Sequence, residues 1–224
     1  MKKTILLTCS VVLTSLAMGA QAAHAESTTP YNGKATFEFT TEDPNNLKPN
    51  PPVDPEKPVT PPTGQKGLVA IDAVSDLNFG SATISGGETK ATAVVNEGET
   101  LGIQVTDKRG TGAGWNVQAK ISDFKDKTDA KKILKGATVK IPAGTFYTTA
   151  TGDKDNAPTA SNGNGTVIGT AATQLITAAK DKGKGSWVND WADNVELTIP
   201  GGNLVGNYEA AITWTMYDTP TGNK

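Results

Sequence analysis

Cysteine and histidine are almost absent: the 224-residue chain has one of each, Cys9 and His24. Both lie in an N-terminal stretch that reads as an export signal. Lys2 and Lys3 open it, Ile5 to Ala17 is an apolar run, and Ala20-Gln21-Ala22 and Ala23-His24-Ala25 are small-residue cleavage patterns. Cleavage is expected after Ala25, which makes residues 1–25 a signal peptide. Cys9 is a poor lipidation site, because Thr8 precedes it and the apolar run continues beyond it. Once the signal leaves, no thiol and no imidazole remain. That excludes histidine-dependent triads, cysteine nucleophiles, His/Cys metal sites and a disulfide scaffold. A hydrophobic core must then hold the fold together.

Other absences narrow the function further. No second long apolar run follows the signal, so no membrane span is expected in the mature chain. A Leu-Pro-x-Thr-Gly sorting signal is missing, so retention on a cell is expected to be non-covalent. Basic charge is not in excess either. Residues 26–224 hold 19 Lys+Arg (21 − 2) against 23 Asp+Glu, a net of −4. Nucleic-acid binding through a basic surface is disfavoured.

What is present is alternation. Ala35, Phe37 and Phe39 alternate with Thr36, Glu38 and Thr40, so Lys34 to Thr40 reads as a short strand within residues 26–43. Eight of the 13 prolines then lie between Pro44 and Pro62. Residues 44–65 therefore read as a stiff linker, which in polyproline II form at about 3.1 Å per residue reaches roughly 60 Å. A hypothesis follows: the N-terminal strand joins the main sheet while the Pro-rich segment loops outside.

From residue 66 to 221 the pattern is short strands with glycine-rich turns. Val69 to Val74, Leu77 to Phe79, Leu101 to Val105, Trp115 to Ile121, Ala137 to Ile141, Val195 to Ile199 and Tyr208 to Tyr217 are the apolar or alternating runs. A short helical turn is expected around Thr173 to Lys180, and a long exposed loop over Ala150 to Thr170. The fold class is all-β, an antiparallel sandwich or barrel-like domain with long loops.

No catalytic constellation emerges, and no cofactor is implied. Asp107, Asp123, Asp126, Asp190, Asp193 and Glu196 are carboxylates without a motif, and read as solvated charge. Asp153, Asp155 and Asn156 hint at a calcium loop, but the glutamate such a loop needs is replaced by Asn164. Arg109-Gly110-Thr111-Gly112-Ala113-Gly114 lacks the Gly-Lys-Ser/Thr ending of a phosphate loop. Arg109 is kept as a candidate ligand contact. Among the four tryptophans, Trp115 and Trp214 share strand faces with apolar residues and read as packing. Trp187 and Trp191 sit in a polar stretch, so they are expected to be partly exposed and to contact ligand.

Several motifs together resemble the WxL surface proteins of low-GC Gram-positive bacteria. The distal motif of that family has the form Tyr-x-x-x-Leu-Thr-Trp-x-Leu-x-x-x-Pro. Tyr208, Thr213, Trp214 and Pro220 match it at the right spacing, with Ile212 and Met216 in the leucine positions. Trp115-Asn116-Val117 is similar to the proximal motif, with Val117 for leucine. The resemblance implies a secreted, cell-surface protein that binds the cell wall non-covalently, with peptidoglycan or another wall polymer as ligand. A membrane-anchored surface partner or a host matrix protein is a further implied partner. An adhesin or complex subunit is the alternative function, and a carbohydrate-active enzyme is disfavoured by the missing histidine. The conservative leucine replacements favour a packing role for the motif, with the binding surface elsewhere.

Overall fold

The structure is a computed structural model that describes residues 33–221. The expected signal, with Cys9, His24 and the cleavage after Ala25, lies outside the described residues. The chain divides into two units, one ending at Phe39 and one beginning at Thr40.

In the first unit no strand forms over the alternating segment Lys34 to Thr40, which corrects the expectation above. Alternation supplies a strand face, but a strand also needs a partner for its backbone groups. Phe37 and Phe39 are 82% and 91% exposed, their rings edge-to-face at 4.7 Å.

The second unit is all-β. Its strands are β1 (Val69–Val74), β2 (Thr89–Thr92), β3 (Gly102–Asp107), β4 (Trp115–Ile121), β5 (Lys125–Asp126), β6 (Thr138–Ile141), β7 (Thr145–Thr148), β8 (Thr159–Ala160), β9 (Thr166–Ile168), β10 (Thr173–Ala178), β11 (Gly185–Asp190), β12 (Glu196–Ile199), β13 (Tyr208–Glu209) and β14 (Ile212–Tyr217). Three four-stranded sheets form, β1-β3-β11-β7, β14-β4-β10-β8 and β2-β12-β6-β9, with a β13-β5 ribbon. Every strand pair is antiparallel. Period-two alternation sends one row of each strand inward. Ile71, Ile103, Val105 and Trp187 from the first sheet meet Trp115, Val117, Ala119 and Ile176 from the second, and Val139, Ile141, Ile168 and Leu197 from the third, in one core.

Several expectations are corrected. Thr173 to Ala178 is a strand rather than a helical turn, with a register shift between Gln174 and Ile176. Ala150 to Thr170 carries a 3-10 turn, Lys154–Asn156, and the strands β8 and β9. Leu77 to Phe79 forms no strand, and the run Tyr208 to Tyr217 is broken at Ala210-Ala211.

The largest correction concerns the Pro-rich segment. It is a strap on the first sheet rather than a free linker. Val53 N–H donates to Gln104 Oε1 at 2.8 Å, and Gln104 Nε2 donates to Pro51 O at 2.9 Å. Asn50 Nδ2 and Thr106 Oγ1 donate to opposite oxygens of the buried Asp72 carboxylate, at 2.8 and 2.6 Å. Val59 is buried with Ala73 and Val188 in a second small cluster, against which Val53 and Tyr147 pack. Thr100 N–H reaches Pro58 O, Thr63 N–H reaches Asp72 O, and Val74 N–H reaches Pro61 O. Prolines remove donors, yet their carbonyls still accept, and that is how the strap is held.

Candidate functional site

The residues of the two Trp-centred motifs converge on one strand pair. β14 lies antiparallel to β4, with Trp214 opposite Ala119, Met216 opposite Val117 and Tyr217 opposite Asn116. Trp115 and Val117 are fully buried. Thr213 is exposed opposite Lys120, and Met216 is half-buried. Tyr208 stands apart on β13, half-buried, its hydroxyl donating to Leu204 O at 2.8 Å.

Gly114 brings the motifs together. Its φ is +77°, and a Cβ there would run into the Ala178 carbonyl and the Pro220 ring. Only glycine meets both demands. Pro220, at the end of the distal motif, therefore packs beside the residue that precedes Trp115.

Arg109 locks the same corner. Its Nε and Nη2 grip the Asp107 carboxylate at 2.9 and 2.7 Å. Nη2 also donates to Gly114 O, and Nη1 to Asp218 O, both at 2.7 Å. The bond to Asp107 holds the guanidinium above its ordinary pKa. Four of its five N–H groups are thus committed internally, and the side chain is 16% exposed. The glycine-rich run is the loop that Arg109 closes.

The tryptophans correct the exposure expected of them. Trp187 and Trp191 are 2% and 1% exposed. Each indole N–H is satisfied internally, Trp187 by Lys184 O at 3.0 Å and Trp191 by Asn189 Oδ1 at 2.6 Å. Trp115 donates to Gly183 O at 2.9 Å. Polar neighbours in sequence misled, because alternation on β11 turns Trp187 and Asn189 inward together. Trp214 is half-buried and stacks on Trp191, with ring centroids 5.6 Å apart and planes 19° apart.

The opposite face of the motif sheet is polar and spans all four strands. Tyr217 pairs with Asn116, Asn116 with Thr177, and Thr177 with Thr159. The next row holds Thr215, Gln118 and Gln174, and Thr213 and Lys120 follow. Gln118 Nε2 donates to Asn116 Oδ1 at 3.1 Å, Gln174 Nε2 to Thr177 Oγ1 at 2.6 Å, and Asn116 Nδ2 to Thr219 O at 2.8 Å. Within these rows Asn116 and Gln118 are buried, while Lys120, Thr159, Thr213 and Thr215 are exposed. Sequence reading missed this face, although the Thr, Asn, Gln and Lys positions between the motif's apolar residues carried the signal.

Elsewhere, Asp126 is a buried carboxylate. It accepts from Thr128 Oγ1 at 2.6 Å, Thr128 N–H at 2.9 Å, Asp129 N–H at 3.1 Å and Asn207 N–H at 3.2 Å. Lys132 Nζ is 3.5 Å away. The Thr128 hydroxyl, then the backbone donors and Lys132, hold this carboxyl far below its ordinary range. Asp153 caps the 3-10 turn, accepting from Asp155 N–H at 3.0 Å. Among the described residues no group of three acidic, His or Cys side chains is placed to hold a metal.

A comparison with known families matches residues 24–220 to the model of the WxL domain, described as surface cell wall-binding. No curated protein and no solved structure matches the chain. The chain belongs to the WxL family, whose domain is a surface, wall-binding module.

Proposed function

We propose that this WxL chain is an exported, non-catalytic protein that attaches non-covalently to peptidoglycan through the polar face of the β14-β4-β10-β8 sheet. One observation carries the reading: a polar row, Tyr217-Asn116-Thr177-Thr159, crosses all four strands of the sheet built by both family motifs, with Asn116 buried at its centre and exposed Thr159, Thr213, Thr215 and Lys120 around it. A glycan strand with peptide stems offers hydroxyls and amides, groups that pair with a polar sheet face through hydrogen bonds. The motif tryptophans then act through the fold, because Trp115, Trp187 and Trp191 are enclosed and Trp214 leans on Trp191. Arg109 acts the same way, by closing the corner beneath the face.

The test is co-sedimentation of the folded protein with sacculi stripped of protein and teichoic acid. Thr213→Ala/Thr215→Ala with Lys120→Ala should lower the pelleted fraction while leaving the melting temperature within a few degrees. Unchanged pelleting would move the contact off this face. A wild-type protein left in the supernatant would remove peptidoglycan as sole ligand.

A further inference from the structure

Two unmet pairing needs lie on this chain. The first is β14. It is a six-residue edge strand whose register with β4 is unbroken. β14 also lies close to β1, but apart from the β4 ladder no backbone hydrogen bond of Ile212–Tyr217 is found among the described residues. It contains no charge, no proline and no bulge, the devices by which edges are normally protected. The other six-residue edge, β1, is covered by the strap: Pro61 O accepts from Val74 N–H, Thr63 N–H donates to Asp72 O, and Gln65 Oε1 accepts from Ile71 N–H. The inward row of β14, Ile212, Trp214 and Met216, is only half-buried, whereas Val117, Ala119 and Ile121 across the ladder are buried.

The second need is the segment Lys34 to Thr40. It has a strand's pattern and no ladder, and two phenylalanines on one side, Phe37 and Phe39, stand almost fully in solvent. In strand addition the main-chain hydrogen bonds supply affinity and alternate side chains, here Phe37 and Phe39, supply specificity.

We propose that Lys34–Thr40 of one molecule pairs as a fifth strand with β14 of a second copy. Ala35, Phe37 and Phe39 then lie beside Ile212, Trp214 and Met216, and cover the open side of the Trp191–Trp214 stack. Thr36, Glu38 and Thr40 continue the polar row of Thr213, Thr215 and Tyr217. Donor and acceptor are different surfaces, so the contact either propagates head to tail or closes as a two-fold dimer by reciprocal exchange. One short strand and two phenylalanines bury less than a standard interface, so association depends on concentration.

This inference is independent of the wall reading and is tested without sacculi. In sedimentation velocity the exported chain should gain mass above the monomer as concentration rises. Phe37→Ser/Phe39→Ser should abolish that gain while leaving the fold intact. Because the chain lacks cysteine once residues 1–25 are gone, trapping maps the contact. Thr36→Cys molecules mixed with Thr213→Cys or Thr215→Cys molecules should give disulfide dimers, and a Thr145→Cys control in β7 should not. A monomer at every concentration overturns the proposal. So does a mass gain that survives Phe37→Ser/Phe39→Ser, or trapping that is equal at the β7 control.

Discussion

Trp191 and Trp214 share one stack but not one role. Trp191 is enclosed, and its N–H is tied to Asn189 Oδ1. Trp191→Ala opens a cavity and strands that acceptor, so we expect a loss of about 3–5 kcal/mol in urea unfolding. Trp214→Ala removes a ring that is half in solvent, and we expect about 1–2 kcal/mol. Equal losses would show that Trp214 is as much core as its neighbour. Asp126 sets a pH limit at the same scale. Its carboxyl is held below the ordinary value, chiefly by the Thr128 hydroxyl. Between the folded and unfolded values, roughly from pH 4 downward, the unfolded chain binds the extra proton. Its contribution is therefore complete above about pH 4 and fades as the pH falls. Asp126→Asn should lower the melting temperature at neutral pH and flatten the drop seen on acidification below pH 4. A variant that keeps the full acid slope would assign it to other carboxylates.

At the scale of elements, the strap is the part that sequence reading could not place. Strands marked by an apolar run or by alternation were legible: Val69 to Val74 and Trp115 to Ile121 form as read, and Val195 to Ile199 lies within a residue of β12. β11 was not, because it is buried on both faces and so does not alternate, while Ser186, Asn189 and Asp190 also deny it the apolar run that marks β1. Trp187 and Asn189 face the core while Val188 lies under Val59 and Tyr147 of the strap's own cluster. Proline count signals an extended backbone, but says nothing of what Gln104 and Asp72 do beneath it. Burial of those two residues is a tertiary fact, and so is the strap's docking. The same limit hid the polar face, whose width comes from pairing β14, β4, β10 and β8 across 59 residues of chain, Thr159 to Tyr217, and back to Trp115. Limited proteolysis tests the strap. We expect proteinase K to leave a fragment that begins before Asn50, whereas a free linker would give one that begins after Gln65. Gln104→Ala removes the acceptor of Val53 N–H and the donor to Pro51 O. It should expose the strap to cleavage and cost about 1–3 kcal/mol.

For the whole molecule, charge separates two ways of holding a wall. The 26–224 chain carries a net of −4, and the polar sheet face contributes one lysine, Lys120, among neutral groups. A protein of this sign gains nothing from long-range attraction to an anionic surface. Attachment through neutral hydroxyl and amide contacts releases few counterions and is short in range. Raising salt from about 0.05 to 0.5 M shortens the screening length severalfold and weakens exposed ion pairs, but leaves such hydrogen bonds in place. We therefore expect the pelleted fraction on stripped sacculi to change by less than about twofold over that range, since no large charge neutralisation drives it. Lys120→Ala should then cost a similar factor at both ends of the series. A steep fall with salt would put the contact on lysine clusters such as Lys180, Lys182 and Lys184 in the β10–β11 turn, which are exposed and lie off the polar face. Their combined substitution by glutamine, with Lys120 left intact, would then remove the salt dependence together with the binding.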